Sequence, residues 1–220
     1  MKIATWNVER LKHKSRLQEI SSACERTGAD ILVLTETDSR LRPGYQYCFQ
    51  TLPLKESEPV VYGATENRVS IFTNYKCIRQ HTTFDKHTAI CVELETEMGN
   101  LLVYGTIIGV CGNRYPTFQR DLLRQMGDIT ALSADGQSLC VCGDFNCTFS
   151  DNYYYTKCGR EVILKSFVEN RIELLTRDRS ECIDHIAITS DFLQPSTIQI
   201  EEWNYDKTLS DHKGIAVMFA

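Results

Sequence analysis

What this 220-residue chain lacks narrows it first. No apolar run is long enough to span a bilayer, and Met1-Lys2-Ile3-Ala4-Thr5-Trp6-Asn7 enters a strand-like stretch with no signal-type apolar region. The expectation is a cytoplasmic protein that does not enter a membrane. No Cys-x-x-Cys pair occurs, which leaves a cysteine-ligated zinc module with little support. Ten cysteines would be many for a disulfide framework here, and most sit singly in apolar runs (Cys24, Cys48, Cys77, Cys91), where a reduced thiol packs as a small hydrophobe. Positive charge is also in short supply. A net charge of -5 argues against a protein that coats nucleic acid non-specifically, because such binding rests on many lysine and arginine contacts to phosphates. It leaves room for a nuclease with a local basic rim, since a metal-dependent site is itself acidic. Linker-like shifts, low-complexity segments and strong repeats are absent as well. With 42% hydrophobic residues, the chain reads as one domain, 1-220, with a sizeable core.

The most informative stretch present is Leu139-Cys140-Val141-Cys142-Gly143-Asp144-Phe145-Asn146. Small and apolar residues fit a buried strand that stops at Gly143, with an acid, an aromatic and an amide just beyond. Extended chain would put Asp144 and Asn146 on one face and turn Phe145 to the core. A turn after a strand is the plainer reading of the same residues. Elsewhere, strands are predicted over 2–8, 30–34, 45–51, 68–73, 182–189, 197–203 and 214–219. A hairpin is predicted from 88–96 and 101–108, turning at Met98-Gly99-Asn100. Helical spacing follows Ser15, a candidate N-cap, as far as Gly28, and again after Pro116, with Phe118, Leu122, Met126, Ile129 and Leu132 on one side. A short helix is expected over 160–170 and a loop over 52–65. About ten strands and few helices predict two packed sheets with helices outside. A faint echo links Ile31-Leu32-Val33-Leu34-Thr35-Glu36 with Leu139 to Asp144, each an apolar strand ending in an acid.

Polar residues thus recur at strand edges: Asn7, Glu36, Asp144 with Asn146, Asp184, and Asp211 with His212. The ordered set Trp6-Asn7, Leu34-Thr35-Glu36, Gly143-Asp144-Phe145-Asn146, Ile183-Asp184-His185 and Ser210-Asp211-His212 resembles the endonuclease/exonuclease/phosphatase superfamily. Apurinic-site endonucleases, pancreatic-type deoxyribonucleases, sphingomyelinases and inositol polyphosphate phosphatases belong there. The resemblance spans essentially the whole chain. It implies a four-layer α/β/β/α sandwich that cleaves phosphoesters with a divalent ion, magnesium first and manganese as the alternative. It further implies Glu36 as the main metal ligand beside Asn7 and Asp211, Asp144 as the group that orients or deprotonates water, and Asn146 as a phosphate contact. Asp184 would accept from His212, whose other nitrogen would face a phosphate oxygen; a carboxylate partner favours the protonated imidazole.

One departure stands out. Many members carry a Tyr or His after the central hairpin strand, whereas this chain has Ile107; Tyr104, three residues back, faces the other way. Arg114, with Asn113 beside it, is the candidate replacement donor, and Tyr153 in Tyr153-Tyr154-Tyr155 is a candidate platform for a base. The basic run Arg10 to Arg16 reads as a solvated helix face or a phosphate-tracking rim. The expected partner is nucleic acid or a phosphorylated small molecule, met by a monomer. The motifs are shared with lipid and inositol phosphate enzymes, so a phosphatase, a phospholipase or a non-catalytic binding member stays open.

Overall fold

Period-two burial assembles the molecule. The computed structural model describes residues 1–53, 62–109, 112–114, 116–134, 136–193 and 197–219, and among them twelve strands form two six-stranded sheets. The first sheet runs β11 (Ile198–Trp203), β12 (Gly214–Phe219), β1 (Lys2–Asn7), β2 (Ile31–Asp38), β4 (Glu66–Thr73), β3 (Tyr47–Gln50). The second runs β5 (Lys76–His81), β6 (Ala89–Thr96), β7 (Gly99–Ile107), β8 (Leu139–Asp144), β10 (Asp184–Thr189), β9 (Ile172–Leu174). Pairing is antiparallel except β1 with β2 and β7 with β8. Those two parallel pairs hold the same central place in their sheets. The echo between β2 and β8 is therefore positional: each is the second strand of its sheet's parallel pair.

Alternate residues sort into layers. Ile3, Ile31, Val33, Cys140, Cys142, Ile186 and Ile188 fill the space between the sheets. Ala4, Trp6, Leu32 and Leu34 pack outward with Ile20, Ala23 and Cys24 of helix α1 (Leu17–Arg26). On the opposite side Leu139, Val141 and Phe145 pack with α2 (Pro116–Ser133) and α3 (Lys157–Glu169). This is the four-layer α/β/β/α sandwich. Burying one such Val, Leu, Ile or Phe contributes roughly 1.5–3 kcal/mol, so these three clusters outweigh any single polar contact in holding the sheets. The sheets pack tightly at Gly105, where a Cβ would lie 2.8 Å from Val69 Cγ1.

Several boundaries differ from the sequence reading. Arg16, not Ser15, precedes α1, and it makes no side-chain cap bond; Ser15 lies in a 3-10 turn over Lys14–Arg16. The hairpin, α2, β8 and β10 to β12 lie close to where they were expected. Strands β5 and β9 and a short helix α4 (Ser190–Leu193) were not foreseen: β5 is a largely exposed edge strand and β9 spans three residues, so neither shows a clean alternation. Of the loop expected over 52–65, residues 54–61 lie outside the described ones. Among the described residues no helix is long and apolar enough to cross a membrane.

Candidate active site

At one end of the sandwich the layer between the sheets turns from apolar to polar. β1 ends in Asn7, β8 ends in Asp144, and β10 begins with Asp184, which lies directly across the ladder from Asp144. All three are buried. Asn7 Nδ2 donates to Asp144 Oδ2 at 3.1 Å and so joins the two sheets through side chains. The backbone N–H of Asn146 donates to Asp144 Oδ1 at 2.8 Å. Both oxygens of Asp144 are thereby fixed in place, and the carboxylate keeps lone pairs for a further partner.

His212 arrives on the segment between β11 and β12, and many bonds locate it. Ser210 Oγ donates to the Asn7 carbonyl (2.6 Å), Trp6 Nε1 to the His212 carbonyl (3.0 Å), and the Asp211 N–H to Glu9 Oε2 (2.9 Å). Asn204 Nδ2 donates to the carbonyls of Ser210 (2.8 Å) and His212 (2.7 Å). So anchored, His212 Nδ1 lies 2.6 Å from Asp184 Oδ2. Its Nε2 is 3.6 Å from Asp211 Oδ1.

Two cleft side chains depend on left-handed backbone at residues other than glycine. Strict alternation would place Glu36 with Leu32 and Leu34 on the α1 side, but its φ of 43° breaks the pleat and the carboxylate lines the cleft. Asn146, with φ of 48°, likewise leaves the strand direction. Such conformations cost about 1–3 kcal/mol and persist only where surrounding bonds hold them. The resulting cleft, about 340 Å³, is lined by Glu36, Asp144, Asp184, Asp211 and His212, with Tyr153, Tyr154 and Lys207 on its walls.

Charge crowding tunes these groups. Burial pushes Asp144 up to about 7; the His212 imidazolium opposes this, while the carboxylates of Asp184 and Glu36 add to it. Burial alone would lower His212, but the Asp184 carboxylate, then Asp144 and Asp211, raise it to about 10. At neutral pH the cleft holds a protonated imidazole beside an acid poised to exchange its proton. Glu36 is partly offset by Arg10, whose Nε is 3.5 Å from Oε2.

Some expected roles do not match the geometry. Asn146 Nδ2 donates to the carbonyls of Ile108 (3.0 Å) and Gly109 (3.2 Å), so its amide ties β8 to the end of β7 instead of standing free for a phosphate. Asn113 Nδ2 donates to the Asn146 carbonyl (3.1 Å), a loop tie rather than a substrate contact. Arg114 is exposed and is not among the described residues that line the cleft. Ile107 pairs with Asp144 across the β7–β8 ladder and packs between the sheets. Tyr104 faces the other side, as its parity requires, and donates to Asp128 Oδ2 at 2.8 Å. Arg10, Lys12 and Arg16 of the basic run contact Glu36, Glu9 and Glu19.

Sequence reading also passed over Glu9, Asn204 and Lys207. Glu9 is buried two residues beyond Asn7, a spacing that could have marked it; Asn204 acts on backbone carbonyls, which leave no motif.

Among the described residues no three of His, Cys, Asp and Glu converge tightly enough to enclose an ion. The donors at hand are all oxygen: Glu36 and Asp211 in the cleft wall, and the buried amide of Asn7, whose Oδ1 already accepts from the Glu9 N–H (2.9 Å). A hard cation that keeps most of its waters and takes only one or two carboxylates suits this open set. A closed zinc cage does not.

A fold of two stacked mixed sheets with helices outside, and acids of both sheets meeting a histidine at one rim, is the frame of a phosphoesterase. Residues 4–212 match the Endonuclease/Exonuclease/phosphatase family, and the chain belongs to that family. An endonuclease/exonuclease/phosphatase from Beutenbergia cavernae superposes with a TM-score of 0.75 at 13% identity, over 99% of this chain and 70% of that one. An AP endonuclease from Archaeoglobus fulgidus gives 0.72 at 15% identity, over 100% and 99%. A 3' phosphatase from Neisseria, bound to a product DNA hairpin, gives 0.70 at 16%, again over 100% and 99%. At such identities the likeness is one of fold. No curated protein sequence matches the chain.

Proposed function

We propose that this chain is a divalent-metal-dependent phosphodiesterase that hydrolyses nucleic acid or a nucleotide by in-line attack of water. The observation that carries the reading is the His212–Asp184 pair at 2.6 Å, set in one cleft with Asp144, whose carboxylate Asn7 holds from the other sheet. Asp144, fixed by Asn7 and the Asn146 N–H and held up to about 7, orients a water and takes its proton at neutral pH. His212, kept protonated by Asp184, stabilises the charge that grows on a non-bridging phosphate oxygen. Glu36, Asp211 and Asn7 would hold the divalent ion, which when bound supplies Lewis-acid polarisation of the phosphoryl group. A nucleic acid substrate is favoured by the DNA hairpin on the Neisseria 3' phosphatase of the same fold. Ile107, apolar where a donor was expected, favours a second reading as a weakly catalytic binding member.

The test is turnover of abasic duplex, single-stranded DNA, RNA, a nucleotide diester, an inositol phosphate and sphingomyelin, with magnesium and with chelator. At least one diester is expected to be cleaved in a metal-dependent way. Asp144→Asn and His212→Ala should each lose at least about a hundredfold, the scale of acid–base and electrostatic groups. Equal rates in chelator, or undiminished variants, would refute the mechanism; metal binding without turnover would establish the second reading.

A further inference from the structure

We infer that Tyr153 and Lys207 form a subsite for the nucleotide next to the scissile phosphate, the base lying on the Tyr153 ring and its phosphate at the Lys207 ammonium. The inference rests on the phosphodiesterase reading and narrows it to strands with an unpaired base.

Both residues line the cleft, on segments far apart in sequence. Lys207 Nζ lies 2.9 Å from Tyr153 Oη and 4.7 Å from its ring centroid, so the two walls touch across the opening. Each partner is held by its own loop. Lys207 sits at a φ of 53° in the turn from Asn204 to Leu209, where Asn204 accepts from the N–H groups of Lys207 (carbonyl, 3.1 Å) and Leu209 (Oδ1, 3.1 Å). The same Asn204 amide holds the carbonyls flanking Asp211, so Lys207 is in rigid relation to His212. On the facing wall Asp151 accepts from the N–H of Tyr153 (3.0 Å) and of Glu181 (2.6 Å), which fixes the tyrosine loop to the segment before Asp184.

Charge makes the pair meaningful. The other lysine of the cleft, Lys213, is bound to Glu202 (2.8 Å) and the Ser180 carbonyl (2.7 Å). Lys207, by contrast, has no carboxylate within ion-pair distance among the described residues. It stands in a cleft rich in acids, which would repel a second phosphate that had no cation beside it. The Tyr153 side chain beside it is a π-face on a residue 51% exposed, and stacking on such a platform needs no particular base. A cation and an exposed ring in contact fit a phosphate with its base one nucleotide from the reacting phosphorus. An inositol phosphate has no planar base for the ring. A base within a duplex is already stacked and would have to be pulled out.

The experiment compares kcat and KM, with magnesium, on a single-stranded oligonucleotide, the same sequence in a duplex, and methyl 4-nitrophenyl phosphate, which carries no ring or nucleotide beside its leaving group. Tyr153→Ala should lower kcat/KM on the single strand about tenfold more than on the small diester, mainly through KM, the scale of one stacked base. Tyr153→Phe should recover most of that loss. Lys207→Gln should raise KM for the oligonucleotide and reduce the slope of log KM against log salt by about one phosphate contact. The wild type should prefer the single strand to the duplex. Equal losses on both diesters would make the pair merely structural, and no loss on the oligonucleotide would overturn the subsite. Turnover confined to sphingomyelin or inositol phosphates would overturn the subsite and leave the phosphoesterase chemistry standing. No turnover of any ester would overturn both.

Discussion

Directly after Asp184, His185 turns into the helix layer and packs between Phe145 and Phe149, with ring centroids 5.4 and 4.9 Å away. Its Nε2 lies 3.0 Å from the Cys147 carbonyl, which can only accept, so that nitrogen carries the proton. Nδ1 then accepts from Thr176 Oγ1 at 2.8 Å, and that oxygen accepts from the Ile186 N–H at 3.1 Å. The neutral ring is fully satisfied, and burial pushes its pKa down to about 4. Unfolded histidine takes up a proton near 6.5 and the folded one near 4, so the unfolded state binds more protons in between. The contribution of His185 to stability therefore falls as pH drops from about 6.5 to about 4, by up to roughly 3 kcal/mol, while Asp144, raised to about 7, contributes with the opposite sign over the same range. Urea titrations of the wild type and of His185→Gln across that range should show the difference between them shrinking toward pH 4; a difference that does not change with pH would mean the ring titrates freely. At this scale Glu36 and Asp144 were legible because each ends an apolar run. Asn204 and Lys207 were not, because their partners are backbone atoms or residues remote in sequence.

Among the elements, β8 is the one whose shape decides the site. Gly143 has φ of 139°, and a Cβ there would collide with the Thr106 carbonyl oxygen of β7. Only glycine lets β8 lie this close to β7 one residue before Asp144. Gly143→Ala should destabilise by about 2 kcal/mol or more in chemical denaturation, the cost of strain at a special backbone position, and should lower kcat/KM in the same protein. Stability and activity at wild-type levels would show that the ladder can yield. The sequence reading located β8 and its glycine boundary because the apolar run stops there. It missed β5 and β9, whose exposed or very short segments carry no period. The left-handed backbone at Glu36 was invisible, since a glutamate does not announce a positive φ, whereas at Asn146 a turn was one of the readings open.

On the scale of the whole molecule, the cleft is assembled from both sheets: Asn7 and Glu36 come from one, Asp144 and Asp184 from the other. An ion held there binds the folded chain and not the unfolded one, and so stabilises the entire sandwich. At about a hundred times its dissociation constant the gain is about 2.7 kcal/mol. For a chain of this length that corresponds to a rise in Tm of about 5–10 °C. Thermal melts with magnesium and with chelator should differ by this amount, and Glu36→Gln combined with Asp211→Asn should remove the difference. Coincident melts of the wild type would deny the assigned metal ligands. Two packed sheets with outer helices could be read from strand count and alternation, but strand order could not: a period of two says which face a residue takes and nothing about which strand lies beside it. The order of motifs along the chain supplied what periodicity lacked.

β1 finds its neighbour β2 close by in the sequence, but its other edge pairs with β12 (Lys2 with Met218) and stays open until that distant strand has been made. Until then the segment that carries His212 cannot dock on Asn7 and Trp6. Asn7, Glu36, Asp144 and Asp184 are thus synthesised before the imidazole that meets them, and the polar cluster of the cleft closes in one step when the His212 segment docks.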